Sequence, residues 1–265
     1  MSIKTNPLHA AIAAGKVQVG TWINLTRNPA ILTLLKSAGL DYARVDMEHS
    51  SPSIETVADM AVLARALDFP LVVRPPEGNR EWITRLLDVG VWGLHVPQVD
   101  TAEIAYQVAQ AARYAPVGAR GMAGLSPGTD FDGDMTPAER LRHLNQQVHV
   151  TVMLETADAF SQLDDILSVE GIDAVTLGPT DLAQDLGVFG TSRQAEVLDE
   201  HRQRLITAAR ARGKHVAMLV DSVPEAQRWI DAGVQLIAYS SDVAILRAGY
   251  ANAIRQLHPP AVASA

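Results

Sequence analysis

Of the 265 residues, 48% are hydrophobic and 20% charged, a balance that excludes a disordered or fibrous chain and supplies enough apolar surface for one large core. The formal net charge is −8 and the 22 basic residues are scattered rather than clustered, so no nucleic-acid partner is expected. Cysteine is absent, which removes disulfides, thiolate nucleophiles and Cys-ligated zinc, and leaves any metal to carboxylates, imidazoles and water.

In chain order, the stretch 7–15 comes first; it is short, broken by His9 and lacks a signal-peptide core, and no apolar run approaches the ~20 residues of a membrane span. A soluble, cytoplasmic protein that needs no membrane is expected. Short β-branched runs then alternate with longer segments of helical periodicity. Strands are expected at 17–23, 42–46, 70–74, 92–96, 149–154, 173–177, 215–220 and 235–239, apolar enough to be buried on both faces. Helices are expected near 29–38, 53–68, 79–89, 101–112, 157–169, 192–212, 223–232 and 241–257. Eight such units predict an α/β chain closed into a (β/α)8 TIM barrel, one domain over 1–257.

Punctuation supports the helices. Ser51-Pro52 offers an N-cap with proline in the first turn, and Thr136 to Glu139 and Ser222 to Glu225 have capping-box spacing. Gly15, Gly39, Gly90, Gly213 and Gly233 follow helical runs as stops. The tail 258–265, with its Pro-Pro and small residues, reads as frayed. Segment 115–135, with five glycines and two prolines, is too long for a simple connection and reads as a functional loop.

In a barrel, groups at the C-terminal ends of strands face the active-site mouth. Here those groups are Asp46, Glu48 and His49 after the second strand, Arg74 at the end of the third, Glu155 after the fifth, and Gly178-Pro179-Thr180-Asp181 after the sixth. Glu155 and Asp181 suit a hard divalent cation, or equally the capping of helices. His49 has the intrinsic pKa of a general base, or is simply an exposed loop residue. Arg74 could grip a carboxylate or a developing enolate oxygen, or form a buried ion pair with Glu48 or Asp46.

Five motifs give a further lead: Asp46-Met47-Glu48-His49, Val72-Val73-Arg74-Pro75, the run Arg-Tyr-Ala-Pro-Val-Gly-Ala-Arg-Gly over 113–121, Glu155-Thr156, and Gly178-Pro179-Thr180-Asp181-Leu182. In order and spacing they resemble the HpcH/HpaI aldolase/citrate lyase family, specifically its metal-dependent pyruvate aldolases. The resemblance implies a barrel, typically a hexameric trimer of dimers with an exchanged C-terminal helix. It implies a divalent cation, Mg²⁺, Mn²⁺ or Co²⁺, held by Glu155 and Asp181. It further implies pyruvate or a related 2-oxo acid chelated there, with backbone N–H groups near Gly178, Pro179, Thr180 and Asp181 holding its carboxylate, and an aldehyde as the second substrate. Arg74 would then stabilise the enolate, and His49, paired with Asp88, would handle protons.

The chain departs from the family at Met153, where better-studied members carry glutamine near the metal; the hydrogen bonding around the metal and the substrate preference are therefore expected to differ. Segment 122–132 matches no family pattern, and aldehyde choice is expected to be decided there. Schiff-base chemistry is disfavoured, because none of the four lysines, Lys4, Lys16, Lys36 and Lys214, follows a strand; Lys16 and Lys214 precede strands and Lys36 sits on a helix. The last two strands end without a glycine-rich phosphate loop, so an unphosphorylated substrate is expected. Two other readings are a CoA-ester lyase of malyl or citryl type, and a non-catalytic barrel that only binds a metal–oxo-acid complex.

Overall fold

The computed structural model describes residues 3–258. Eight parallel strands close into a barrel in sequence order: β1 (Gln18–Ile23), β2 (Tyr42–Asp46), β3 (Leu71–Arg74), β4 (Gly93–Val96), β5 (His149–Leu154), β6 (Ala174–Leu177), β7 (His215–Val220) and β8 (Leu236–Ser241). Closure comes from β1 against β8, paired from Gln18↔Leu236 to Trp22↔Ser241 with a register shift between Gly20 and Trp22.

The outer ring begins with α1 (Pro7–Ala13), α2 (Ala30–Ser37), α3 (Ile54–Ala66), α4 (Arg80–Asp88), α5 (Ala102–Ala112) and α6 (Pro137–Gln147). It continues with α7 (Ala157–Ser161), α8 (Leu163–Ser168), α9 (Pro179–Asp185), α10 (Gln194–Ala211), α11 (Val223–Asp231) and α12 (Asp242–Leu257). The eight expected strands are all present. Of the helices, α1 and α9 are additions, the expected helix 157–169 is split at Gln162, and α6 follows the capping box that Thr136 and Glu139 complete. Ser53, not Ser51, caps α3; its hydroxyl accepts the Thr56 N–H, which leaves Ser51 and Pro52 in the preceding turn. The five glycine stops all have positive φ, from 65° to 103°. Apart from His258, the expected tail lies outside the described residues. No described helix is long and apolar enough to cross a membrane.

Side chains alternate between two cores because a strand has a period of two. Outward residues such as Val45, Val73, Leu94, Val150, Val152 and Val175 pack with the helices in the main apolar cluster. Inward residues Tyr42, Val72, Ala174, Ala217 and Leu236 form a separate cluster with Leu8 and Ile12, so α1 plugs the N-terminal end of the barrel. Above that floor the inward positions turn polar. Tyr42 is fully buried and donates its hydroxyl to the Ile237 carbonyl across the barrel at 2.8 Å.

Gly20 is fixed by this floor, since a Cβ there would lie 2.6 Å from the Tyr42 ring. Gly20→Ala should therefore destabilise the protein by roughly 1–3 kcal/mol in chemical denaturation, and adding Tyr42→Leu should recover part of the loss. An unchanged denaturation midpoint for Gly20→Ala would refute this packing.

Candidate active site

Asp46 and Arg74 end adjacent strands in direct register. Their side chains form a buried bidentate pair, with Arg74 Nε and Nη2 donating to the two carboxylate oxygens at 2.8 Å each. Asp46 also accepts the N–H groups of Glu48 and His49 and the amide of Asn24. Burial by itself would raise its pKa, but the Arg74 bonds and charge and the two backbone donors outweigh it, and Asp46 lies below the usual carboxylate range. Arg74 Nη1 sits 3.0 Å from Glu48, and Glu48 lies 3.6 Å from Nε2 of the exposed His49. The ion-pair reading of Arg74 therefore holds with both acids at once. Two of its five N–H groups are hydrogen-bonded, both to Asp46, while Glu48 is held as an ion pair, so N–H groups remain for a ligand.

Across the mouth, Glu155 is 5% exposed and accepts the Gln98 N–H at 2.8 Å. Its other oxygen, Oε2, crowds the start of α9: a Cβ at Gly178 would lie 2.6 Å from it. Gly178 caps α9, Pro179 opens it, and Thr180 and Asp181 sit in its first turn, where backbone N–H groups have no intrahelical acceptor. Glu48, His49, Gln98, Glu155, Thr156 and Asp181 share one cleft of about 240 Å³. Burial first, then the neighbouring charges of Glu48 and Asp181, push Glu155 up to about 7. Glu48 is raised as well, chiefly by burial. A second cleft of about 200 Å³ adjoins Arg74 and is lined by Trp22, Arg44, His95, Met153, Thr176 and Ser240 among others.

The profile of the HpcH/HpaI aldolase/citrate lyase family matches residues 18–248. The chain belongs to this family. It is 34% identical over 249 residues to a hydroxypyruvate/pyruvate aldolase of Delftia acidovorans, covering 93% of this chain and 90% of that one. It is also 34% identical to a 4-hydroxy-2-oxo-heptane-1,7-dioate aldolase of Shigella sonnei, with 94% of both chains covered. A crystal structure of an HpcH/HpaI aldolase from Desulfitobacterium hafniense superposes with a TM-score of 0.88 at 32% identity, over 94% of this chain and 95% of that chain. The protein is accordingly a carbon–carbon lyase of the HpcH/HpaI family.

Within one protomer of this lyase, two expectations move to the opposite face. Asp88 ends α4, just before β4 begins, and is held by Arg120 at 2.6 Å, so it does not meet His49; the imidazole's neighbour is Glu48. Segment 115–135 follows α5 to the same N-terminal end, where Asp130 is clamped by Arg65 and by the Lys4 N–H and Gly128 packs on the Leu87 and Asp88 carbonyls. It does not line the mouth of its own barrel. A compact group of His9, His149 and Asp173 also lies at that end, with ligand atoms within 4.8 Å of one another. Asp173 there already accepts from Arg113 and the Val150 N–H, which ties the group into the anchorage of α1. None of the four lysines lines either cleft of the mouth.

Met153 lies on the wall of the second cleft, 8% exposed, as its place two residues before Glu155 requires. Sequence reasoning passed over Trp22, Asn24, Arg44, His95 and Gln98. Arg44 and His95 carried a signal, since each is a polar residue inside an apolar strand. Gln98 carried none, because it acts through its backbone N–H in a left-handed conformation with φ 55°.

A carboxyl whose folded pKa is raised stays protonated in the folded chain after the unfolded chain has released its proton. Rising pH between about 4.5 and about 7 therefore erodes stability, and the penalty is complete above that window. In protein stripped of divalent cations, wild type should lose roughly 1–3 kcal/mol relative to Glu155→Gln between about pH 5 and about pH 8. Parallel pH profiles of the two proteins in chemical denaturation would contradict the crowded carboxylate geometry.

Proposed function

We propose that the chain is a divalent-metal-dependent aldolase that joins the enolate of pyruvate or a related 2-oxo acid to an aldehyde and cleaves the resulting 4-hydroxy-2-oxo acid. The observation that carries this reading is the facing of two carboxylates, Glu155 and Asp181, against a guanidinium held in place by Asp46 and Glu48. The donor set fits a hard cation: it is all oxygen and partly buried, and burial together with the charges of Glu48 and Asp181 lifts Glu155 to about 7. Mg²⁺, Mn²⁺ or Co²⁺ held by Glu155 and Asp181 would supply Lewis-acid polarisation of the 2-oxo acid.

The remaining roles belong to the chain. The first-turn N–H groups of Thr180 and Asp181, with Gly178 and Pro179 shaping the approach, hold the substrate carboxylate. Arg74 directs its unused N–H groups at the keto oxygen as it gains charge; Asp46 fixes the plane of the guanidinium, so no reorganisation is needed at that moment. His49 takes a proton from carbon 3 of the oxo acid, with Glu48 beside it to stabilise the imidazolium. The aldehyde then meets carbon 3, and the proton returns to the new hydroxyl. A part for Asp88 in this proton transfer requires the Asp88 of another protomer, since its own lies at the far end of the barrel. Oligomerisation is part of the proposal for a second reason: α12 leaves Val243, Ile245, Leu246, Tyr250, Ile254 and Leu257 exposed, a row that contact with a further copy would bury.

Relatives at 34% identity carry aldolase names, whereas two structures named citrate lyase are 13% and 16% identical and show the fold alone. That favours the aldolase over a CoA-ester lyase.

Chelation should abolish retro-aldol cleavage and added Mg²⁺, Mn²⁺ or Co²⁺ should restore it; full activity in metal-free protein would overturn the reading. Pyruvate methyl protons should exchange with D₂O only when the cation is present, without any aldehyde. Arg74→Ala should slow that exchange on the order of 10²–10³-fold, and Arg74→Lys should rescue it weakly, since the charge returns without the planar fork. Gly178→Ala should leave a folded protein with sharply weaker cation affinity by titration calorimetry, because the added methyl displaces Glu155.

A further inference from the structure

Arg44 is the most conspicuous group that the reaction above leaves unused. It stands on β2 two residues below Asp46, roughly 6.6 Å deeper along the strand, and points inward by the same parity. It is 2% exposed, its Nε is buried without a hydrogen-bond partner, and among the described residues no carboxylate pairs with it. The Trp22 and Tyr42 rings flank it, with centroids 5.6 and 5.4 Å from Cζ. Cation–π contact offsets only part of the cost of burying an unpaired charge. Beside it, His95 on β4 is 1% exposed, stands edge-on to Trp22 at 5.1 Å, and has both ring nitrogens without partners. Both side chains line the cleft of about 200 Å³ that opens beneath Arg74. The single carboxylate on that cleft, Asp221, is exposed at its rim.

We infer that Arg44 and His95 form a second anion subsite on the floor of the mouth, which takes the distal carboxylate of a dicarboxylic 2-oxo acid. With the first carboxylate at the start of α9 and Arg74 at the keto oxygen, Arg44 stands deeper on the same cleft, where an anionic group at the far end of the ligand would lie. Planar, bidentate donors favour carboxylates over a single rounded anion. The walls between them, Trp22, Met153, Leu177 and Leu219, are apolar and suit the connecting methylenes. His95 stays neutral, because burial holds its pKa well below the ordinary imidazole value, and so contributes one N–H and no competing charge. The inference deepens the aldolase reading by naming the class of its oxo-acid substrate, and it rests on that reading for the position of the other carboxylate.

Titration calorimetry on the full chain equilibrated with Mg²⁺ tests it with two matched pairs: 2-oxoglutarate against 2-oxopentanoate, and fresh oxaloacetate against 2-oxobutanoate. At least one diacid should bind ten- to a hundredfold more tightly than its methyl-terminated counterpart, the range expected for a charge-assisted bond to a buried guanidinium. Arg44→Leu should erase that gap and His95→Leu should narrow it, with folding of each variant checked by circular dichroism. Arg44→Lys, which keeps the charge and the volume, should retain part of the gap if the leucine variant fails to fold. Equal affinities within both pairs in wild type, or a gap that survives Arg44→Leu, would overturn the subsite while leaving the aldolase reading intact. Arg44-dependent binding of inorganic phosphate without diacid preference would also overturn it. If none of the four acids binds with any divalent cation, the aldolase reading falls with it.

Discussion

Two parallel hydrogen bonds between Arg74 and Asp46 set the geometry of the mouth. They join the ends of neighbouring strands in register, and Asp46 simultaneously fastens the chain that follows it by accepting the N–H groups of Glu48 and His49. Without the pair, a buried cation and a buried anion would each be left uncompensated, a loss of several kcal/mol. With it, Arg74 has a fixed plane, Glu48 is drawn to its remaining nitrogen, and His49 is placed at the rim. The orientation of the Arg74 guanidinium at the mouth thus derives from a structural ion pair.

A second consequence of parity runs through the interior. Outward residues are almost uniformly aliphatic because they face helices, whereas inward residues change character with height: apolar at the α1 plug, then Arg44 and His95, then Arg74, Glu48 and Glu155. Charge of opposite sign is therefore stacked along the barrel axis. Arg44 is the charge at depth, the Arg74–Asp46 pair lies above it and Glu48 and Glu155 stand nearer the rim, so a ligand bridging these levels experiences a field along its length.

The barrel was largely legible in the sequence because doubly buried parallel strands are short β-branched runs bounded by glycines and helical periods. Strands 42–46, 149–154 and 215–220 have the expected bounds for that reason. The convergence of Glu155, Asp181, Arg74 and His49 was also readable, since a barrel delivers every strand end to one face. What was not read was the side of things. One side was legible and missed: in the run Tyr-Ala-Arg-Val-Asp, alternation puts Arg44 on the same face as Asp46. Asp88 and the loop 115–135 carry family motifs, yet the path of α4 and α5 brings both to the N-terminal end. Gln98 contributes only backbone, to which residue identity is indifferent.

The plug formed by Leu8 and Ile12 gives the barrel a single opening. A blind well imposes an order of traffic. On the proposed reading, the oxo acid occupies the deeper position and the aldehyde lies above it, so the oxo acid enters first and leaves last. The shallower reactant acts as a stopper while carbon–carbon bond formation proceeds, and shields the enolate from stray protons in the solvent. A helix at one end of the molecule, far from any reacting atom, thereby dictates the sequence of events at the other.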